Sequence, residues 1–145
     1  MALLIAGSAL AAEFSGASAL EFTGKAVAFG PRPPGSRANR ELQDYIKSQI
    51  RARGGEPTED AWTARTPTGS VPMRNLICRI PGAGSGRAVV FTGHFDTKLF
   101  PGRHFVGAND GGSSTGFLLE MASVLQAMPH TDDIYLVFFD GEEAF

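Results

Sequence analysis

The sequence predicts an α/β domain with a mixed, mostly parallel central sheet and helices on both of its faces. Three observations lead there. The stretches Arg87 to Asp96 and Ile134 to Phe139 contain continuous apolar runs, the pattern of strands covered on both sides. Leu42, Tyr45, Ile46, Gln49 and Ile50 recur at helical spacing. The elements follow one another as helix, helix, hairpin, strand, helix, strand, which mixes the two classes along the chain.

Taken in order, residues 1–11 ("MALLIAGSALA") join an apolar stretch to a small-x-small end, Ala9-Leu10-Ala11, and predict a secretory signal without a basic n-region. The apolar part is too short to span a bilayer, so its removal would leave a protein exported to the periplasm or medium, with residues 12–145 as one domain. Ser15 to Phe29 predicts a helix with Leu20, Phe22 and Val27 inward. "GPRPPGSR" (Gly30 to Arg37) excludes helix through its prolines, and Ser36 is placed to cap the next one, which ends at Gly54-Gly55. Thr58 to Thr66 and Val71 to Ile80 form a hairpin around Pro67 to Ser70. A buried strand starts at Arg87, a helix runs from Ser113 to Met128, and Ile134 to Phe139 is the last strand.

Composition narrows the function. The 145 residues carry 13 Lys and Arg against 15 Asp and Glu, scattered along the chain, so there is no basic excess of the kind that neutralises a nucleic acid. Cys78 is the single cysteine, which excludes an internal disulfide; with Leu76, Ile77 and Ile80 around it, it reads as a core residue.

Chemistry-bearing residues collect where strands end. In "GHFDTK", His94 and Asp96 are two apart and emerge on one face, which suits an imidazole held by a carboxylate as well as a hydrogen-bonded core pair. In "GANDGGSST", Asp110 stands beside two glycines, as a helix cap or as a ligand on a loop that lets backbone approach closely. In "LVFFDGEEAF", adjacent Glu142 and Glu143 point in different directions, so one could hold a metal while the other faces a substrate; a helix's first turn is the alternative. Ligands of open α/β sheets bind beyond the carboxyl ends of strands, where all three groups lie, and an imidazole with carboxylates and no thiol matches a catalytic zinc site. His104 and His130 read as surface residues and Asp132-Asp133 as a solvated loop.

From "GPRPPGS" through "GHFDTK" and "FVGANDGGSSTGFLLEMA" to "FFDGEEAF", the chain resembles the zinc exopeptidases of the aminopeptidase type. Lys98, "FVGAND" and "FFDGEEAF" resemble the glutaminyl-peptide cyclotransferase branch in particular. The resemblance implies a zinc-exopeptidase-like fold, a peptide N-terminus as substrate, and pyroglutamate formation with release of ammonia. It implies zinc ligation by Asp110 and Glu143, acid/base work by Glu142, and orientation of His94 by Asp96. His94 would hold a second metal in a two-zinc aminopeptidase, whereas a cyclotransferase would hold one zinc. A non-catalytic interaction domain of the same fold is a further alternative. The family's remaining ligands lie beyond the Glu-Glu pair, so the sequence is expected to be the N-terminal part of a longer protein. As a fragment it is expected to be inactive and unstable, with strand Ile134 to Phe139 lacking a neighbour.

Overall fold

The computed structural model describes residues 13–143, and the signal segment expected at 1–11 lies outside them. Helix α1 (Gly16–Ala28) opens at Ser15, whose hydroxyl accepts from the Ser18 N–H at 3.2 Å. Its inward face differs from the one expected: Leu20 is 71% exposed, Phe22 and Val27 are half-buried, and Ala26 is fully buried. The reason lies in the third helix, where a side chain on Gly116 would collide with Thr23 and the Ala19 carbonyl. Close approach of the two backbones selects the small stripe Ala19, Thr23, Ala26, and Leu20 is turned off it.

Helix α2 (Arg37–Ala52) begins where expected, with the Ser36 hydroxyl accepting from the Asn39 N–H at 3.1 Å, and buries Leu42, Ile46 and Ile50 completely. It stops before Gly54, whose φ of +81° suits glycine. Strands β1 (Pro57–Thr66) and β2 (Gly69–Ile80) form the expected hairpin, with Thr66 opposite Gly69. Strand β3 (Ala88–His94), helix α3 (Ser113–Ala127) and strand β4 (Asp133–Phe139) complete the described elements.

The sheet order is β1-β2-β4-β3. It is mixed, as expected, but among the described strands only β3 and β4 pair in parallel; β1 with β2 and β2 with β4 are antiparallel. Register aligns Leu76 with Phe138, Cys78 with Leu136 and Ile80 with Ile134, so these six buried side chains share one face. Leu42, Ile46 and Ile50 of α2 and Leu118, Leu119 and Ala122 of α3 complete that core. Helices therefore cover one face among the described residues rather than both, leaving Tyr135 and Val137 half-buried and Phe139 39% exposed on the other.

Two further expectations are corrected. Among the described residues β3 is not a buried strand: it stands last in the sheet order, and Val89 and Val90 are 42% and 55% exposed. β4 does not lack a neighbour, since it lies between β2 and β3, which removes the physical ground given for instability. An apolar run marks a central strand and an edge strand alike when the edge carries few charges. Cys78 is a core residue, its thiol pushed up by burial. Among the described residues no helix is long and apolar enough to cross a membrane.

Candidate functional site

The parallel pairing of β3 with β4 puts His94 beside Phe139, so the segments after both strands leave the sheet at the same end. Phe95 N–H still donates to the Phe139 carbonyl at 3.0 Å, and the chains then part. Asp96, fully buried, fills the gap. Its Oδ1 accepts from the Glu142 N–H at 3.3 Å and its Oδ2 from the Glu143 N–H at 3.1 Å. One carboxylate thus fixes the backbone of the Glu-Glu pair, a role its H-x-D spacing did not reveal.

Asp110 arrives on the wide turn Ala108–Gly112. The turn is not regular helix, because Asp110 is extended (φ −92°, ψ 107°) and Gly111 has φ +82°. A Cβ on Gly111 would stand 2.5 Å from the Asp96 carbonyl and 3.3 Å from the His94 ring, so glycine is what lets the turn lie against the H-x-D segment. The Ser114 hydroxyl at the start of α3 donates to the His94 carbonyl at 2.7 Å, which pins the turn in place. Asp110 makes no helix cap. Its Oδ1 lies 2.9 Å from His94 Nε2.

The His94 side chain is 15% exposed and enclosed by acids: Asp96 Oδ1 is 3.3 Å from Nδ1, and Glu142 Oε2 is 4.0 Å from Nε2. The Nδ1 contact lacks hydrogen-bond alignment and is an ion-pair contact. Asp96 foremost, opposed by burial and helped by Asp110 and Glu142, raises the imidazole to about 9. Burial and then the neighbouring Asp110 carboxylate push the Glu143 carboxyl upward, which marks two acceptor groups facing each other. Nε2 or Nδ1 of His94 and one oxygen each of Glu142 and Glu143 lie within 4.8 Å of one another. One imidazole and several carboxylates converging with no thiol among them is a donor set that a divalent metal fits.

The structure thus brings together all five residues singled out in the sequence: His94, Asp96, Asp110, Glu142 and Glu143. His104 is exposed, outside the cluster, and the His130 ring meets the Asp132 carbonyl at 2.8 Å. Asp132 and Asp133 are not merely solvated: Asp133 accepts from Arg79 at 2.7 Å and from the Gly82 N–H at 2.9 Å, and Asp132 accepts from Arg87 at 3.1 Å.

Sequence reasoning missed a buried polar layer behind the site. Asp140, expected only to shape a turn, is 4% exposed and accepts from Asn39 Nδ2 at 2.9 Å, Gln43 Nε2 at 3.4 Å and the Arg74 N–H at 3.0 Å. Burial, against those donors, raises its carboxyl to about 6. The available signal was the pair Asn39 and Gln43, four apart on the same face of α2 as Leu42 and Ile46.

Comparison with known proteins accords with this geometry. Residues 75–145 match Peptidase family M28. The chain is 33% identical over 126 residues to a glutaminyl-peptide cyclotransferase-like protein of Bos taurus, covering 78% of this chain and 32% of that protein. It superposes on a glutaminyl cyclase from an Acidobacteriales bacterium with a TM-score of 0.83 at 39% identity, covering 92% of this chain and 47% of the other. It also superposes on a Zn-dependent exopeptidase from Parabacteroides distasonis with a TM-score of 0.81 at 28% identity, covering 93% and 49%. The chain spans about a third of the length of the curated relatives it matches.

Proposed function

We propose that this chain, a relative of the glutaminyl-peptide cyclotransferases and of peptidase family M28, carries part of the active centre of a zinc-dependent cyclotransferase that converts N-terminal glutamine to pyroglutamate. The observation that carries the reading is the anchoring of both Glu142 and Glu143 N–H groups on buried Asp96. From that anchor Glu143 faces the Asp110 carboxylate, while the Glu142 side chain remains 60% exposed and open to a substrate.

Asp110 and Glu143 would hold the zinc, with further ligands from outside the described residues. Bound there, zinc would supply Lewis-acid polarisation of the glutamine side-chain carbonyl. Glu142 would take a proton from the substrate α-amine as the amine nitrogen bonds to the side-chain amide carbon. It would return that proton to the amide nitrogen as the carbon–nitrogen bond breaks and ammonia leaves. Asp96 fixes where that carboxylate starts, and His94 is the donor that steadies Asp110.

A second reading, a two-zinc aminopeptidase, is favoured by one feature. His94 is within ligand distance of the Glu pair and could hold a second ion. Glu142 would then deprotonate water for attack on the first peptide bond. The signal-like residues 1–11 support export from the cytoplasm under either reading.

The test uses the full-length protein: zinc per chain, ammonia release from a glutaminyl peptide and hydrolysis of an aminoacyl amide. One zinc with ammonia release supports the proposal, and two zincs with hydrolysis support the second reading. Glu142→Gln should lose at least about 100-fold in kcat, the usual scale for a general acid/base, while zinc content is unchanged. Substantial activity in that variant would remove Glu142 from the mechanism.

A further inference from the structure

We infer that Arg32 is a positioning residue for this centre, joining from behind the two loops that present His94, Asp96 and Asp110 and, through Asn39 and Asp140, the bend that presents Glu142 and Glu143. The inference rests on reading those groups as a metal site.

Arg32 comes from the proline-rich bend, whose function nothing above accounts for, and it is fully buried. A guanidinium removed from water is costly, and here no carboxylate is hydrogen-bonded to it. Backbone carbonyls serve two of its three nitrogens, Nε and Nη1, while the buried Nη2 has no partner among the described residues. Nε donates to the Phe95 carbonyl at 3.0 Å, and Nη1 donates to the Val106 carbonyl at 2.7 Å and the Gly30 carbonyl at 3.0 Å. Phe95 is the residue between His94 and Asp96, and Val106 immediately precedes Gly107, where the turn to Asp110 begins. One side chain therefore fixes the separation of the two loops on which the cluster is built.

The backbone of Arg32 extends the tie. Its N–H donates to Thr97 Oγ1 at 2.8 Å, and its carbonyl accepts from the Thr97 N–H at 3.2 Å. The same carbonyl accepts from Asn39 Nδ2 at 3.3 Å, and that amide also donates to Asp140 Oδ1 at 2.9 Å, two residues before Glu142. Pro31 and Pro33 restrict φ on either side, so the clasp is held on a stiff strap. The fork shape matters. Nε and Nη1 reach carbonyls on separate segments, which one ammonium on a lysine stem cannot do at once.

The test compares Arg32→Lys and Arg32→Met with the parent in the full-length protein. Ile50→Ala, a core change eleven positions along α2 from Asn39, serves as a control for general destabilisation. Two readouts are taken: zinc affinity by competition with a chelating dye, and amide hydrogen exchange of residues 94–97, 106–110 and 140–143 in chelator-treated protein. Both Arg32 variants should bind zinc about 10- to 100-fold more weakly, the usual effect of losing a group behind a metal ligand. Both should speed exchange in all three segments, while Ile50→Ala leaves zinc affinity within about threefold of the parent. Parent-like affinity and exchange in the Arg32 variants, or an equal zinc loss in Ile50→Ala, would overturn the inference. A parent that takes up no zinc would instead defeat the proposed function, and the exchange readout would still decide what Arg32 does.

Discussion

Asp140→Asn should flatten the dependence of stability on pH. The Asp140 carboxyl is raised from 3.8 to about 6, burial outweighing the donors that face it. A carboxyl with a folded pKa above its unfolded value holds its proton more tightly in the native state. Its contribution to stability is full below the unfolded value and is lost as pH rises through about 6. A shift of about two units corresponds to about 3 kcal/mol, of which about 2 kcal/mol falls between pH 4.5 and 7. Asparagine cannot titrate there, so its curve lacks that fall. It also offers one acceptor oxygen where Asn39, Gln43 and Arg74 supply donors, which lowers stability by about 1–3 kcal/mol at every pH. Offset and slope are therefore separable. Urea unfolding of chelator-treated protein at steps from pH 4.5 to 7 should show the variant gaining about 2 kcal/mol relative to the parent across the series. Parallel curves would refute the assignment of a raised pKa to this buried carboxyl.

Gly111→Ala should weaken zinc binding about tenfold or more and lower apo stability by about 1–3 kcal/mol, because the new methyl meets the Asp96 carbonyl at φ +82°. Gly84→Ala is the comparison: it has φ +98° with nothing near, so equal zinc losses would show that backbone strain, not the collision, is responsible. His94→Gln should leave zinc content at one per chain under the cyclotransferase reading; a fall from two to one, by atomic absorption, would favour the two-zinc reading.

The helices and hairpin were legible because their signals are local. Ser36 followed by apolar residues at helical spacing, and two strand patterns around Pro67-Thr68, determine α2 and the β1–β2 hairpin without reference to the rest of the chain. The grouping of the five candidate residues was legible for a related reason: they lie beyond apolar strands, where an α/β sheet brings such segments to one end. Sheet position was not legible. Val89 and Val90 read as buried, yet among the described residues their strand is last in the sheet, and strand order depends on pairings made across 40 residues or more. Leu20 failed likewise, since its exposure depends on Gly116 in a distant helix. Arg32 gave no sign at all, because an arginine beside prolines in a polar bend looks solvent-facing until the carbonyls it serves are brought to it.

The contact between His94 and Asp110 bears on the choice between one metal and two. His94 Nδ1 is turned toward Asp96, and Nε2, the other nitrogen that a second ion could use, meets Asp110 at 2.9 Å. A single nitrogen cannot serve both partners. Under the two-zinc reading the imidazole would give up Asp110 and bind as a neutral ligand, so that metal uptake would release a proton. Under the one-zinc reading His94 would stay on Asp110 while Asp110 and Glu143 hold the ion. The two readings thus differ in whether His94 leaves Asp110, a difference that proton release on zinc addition would read.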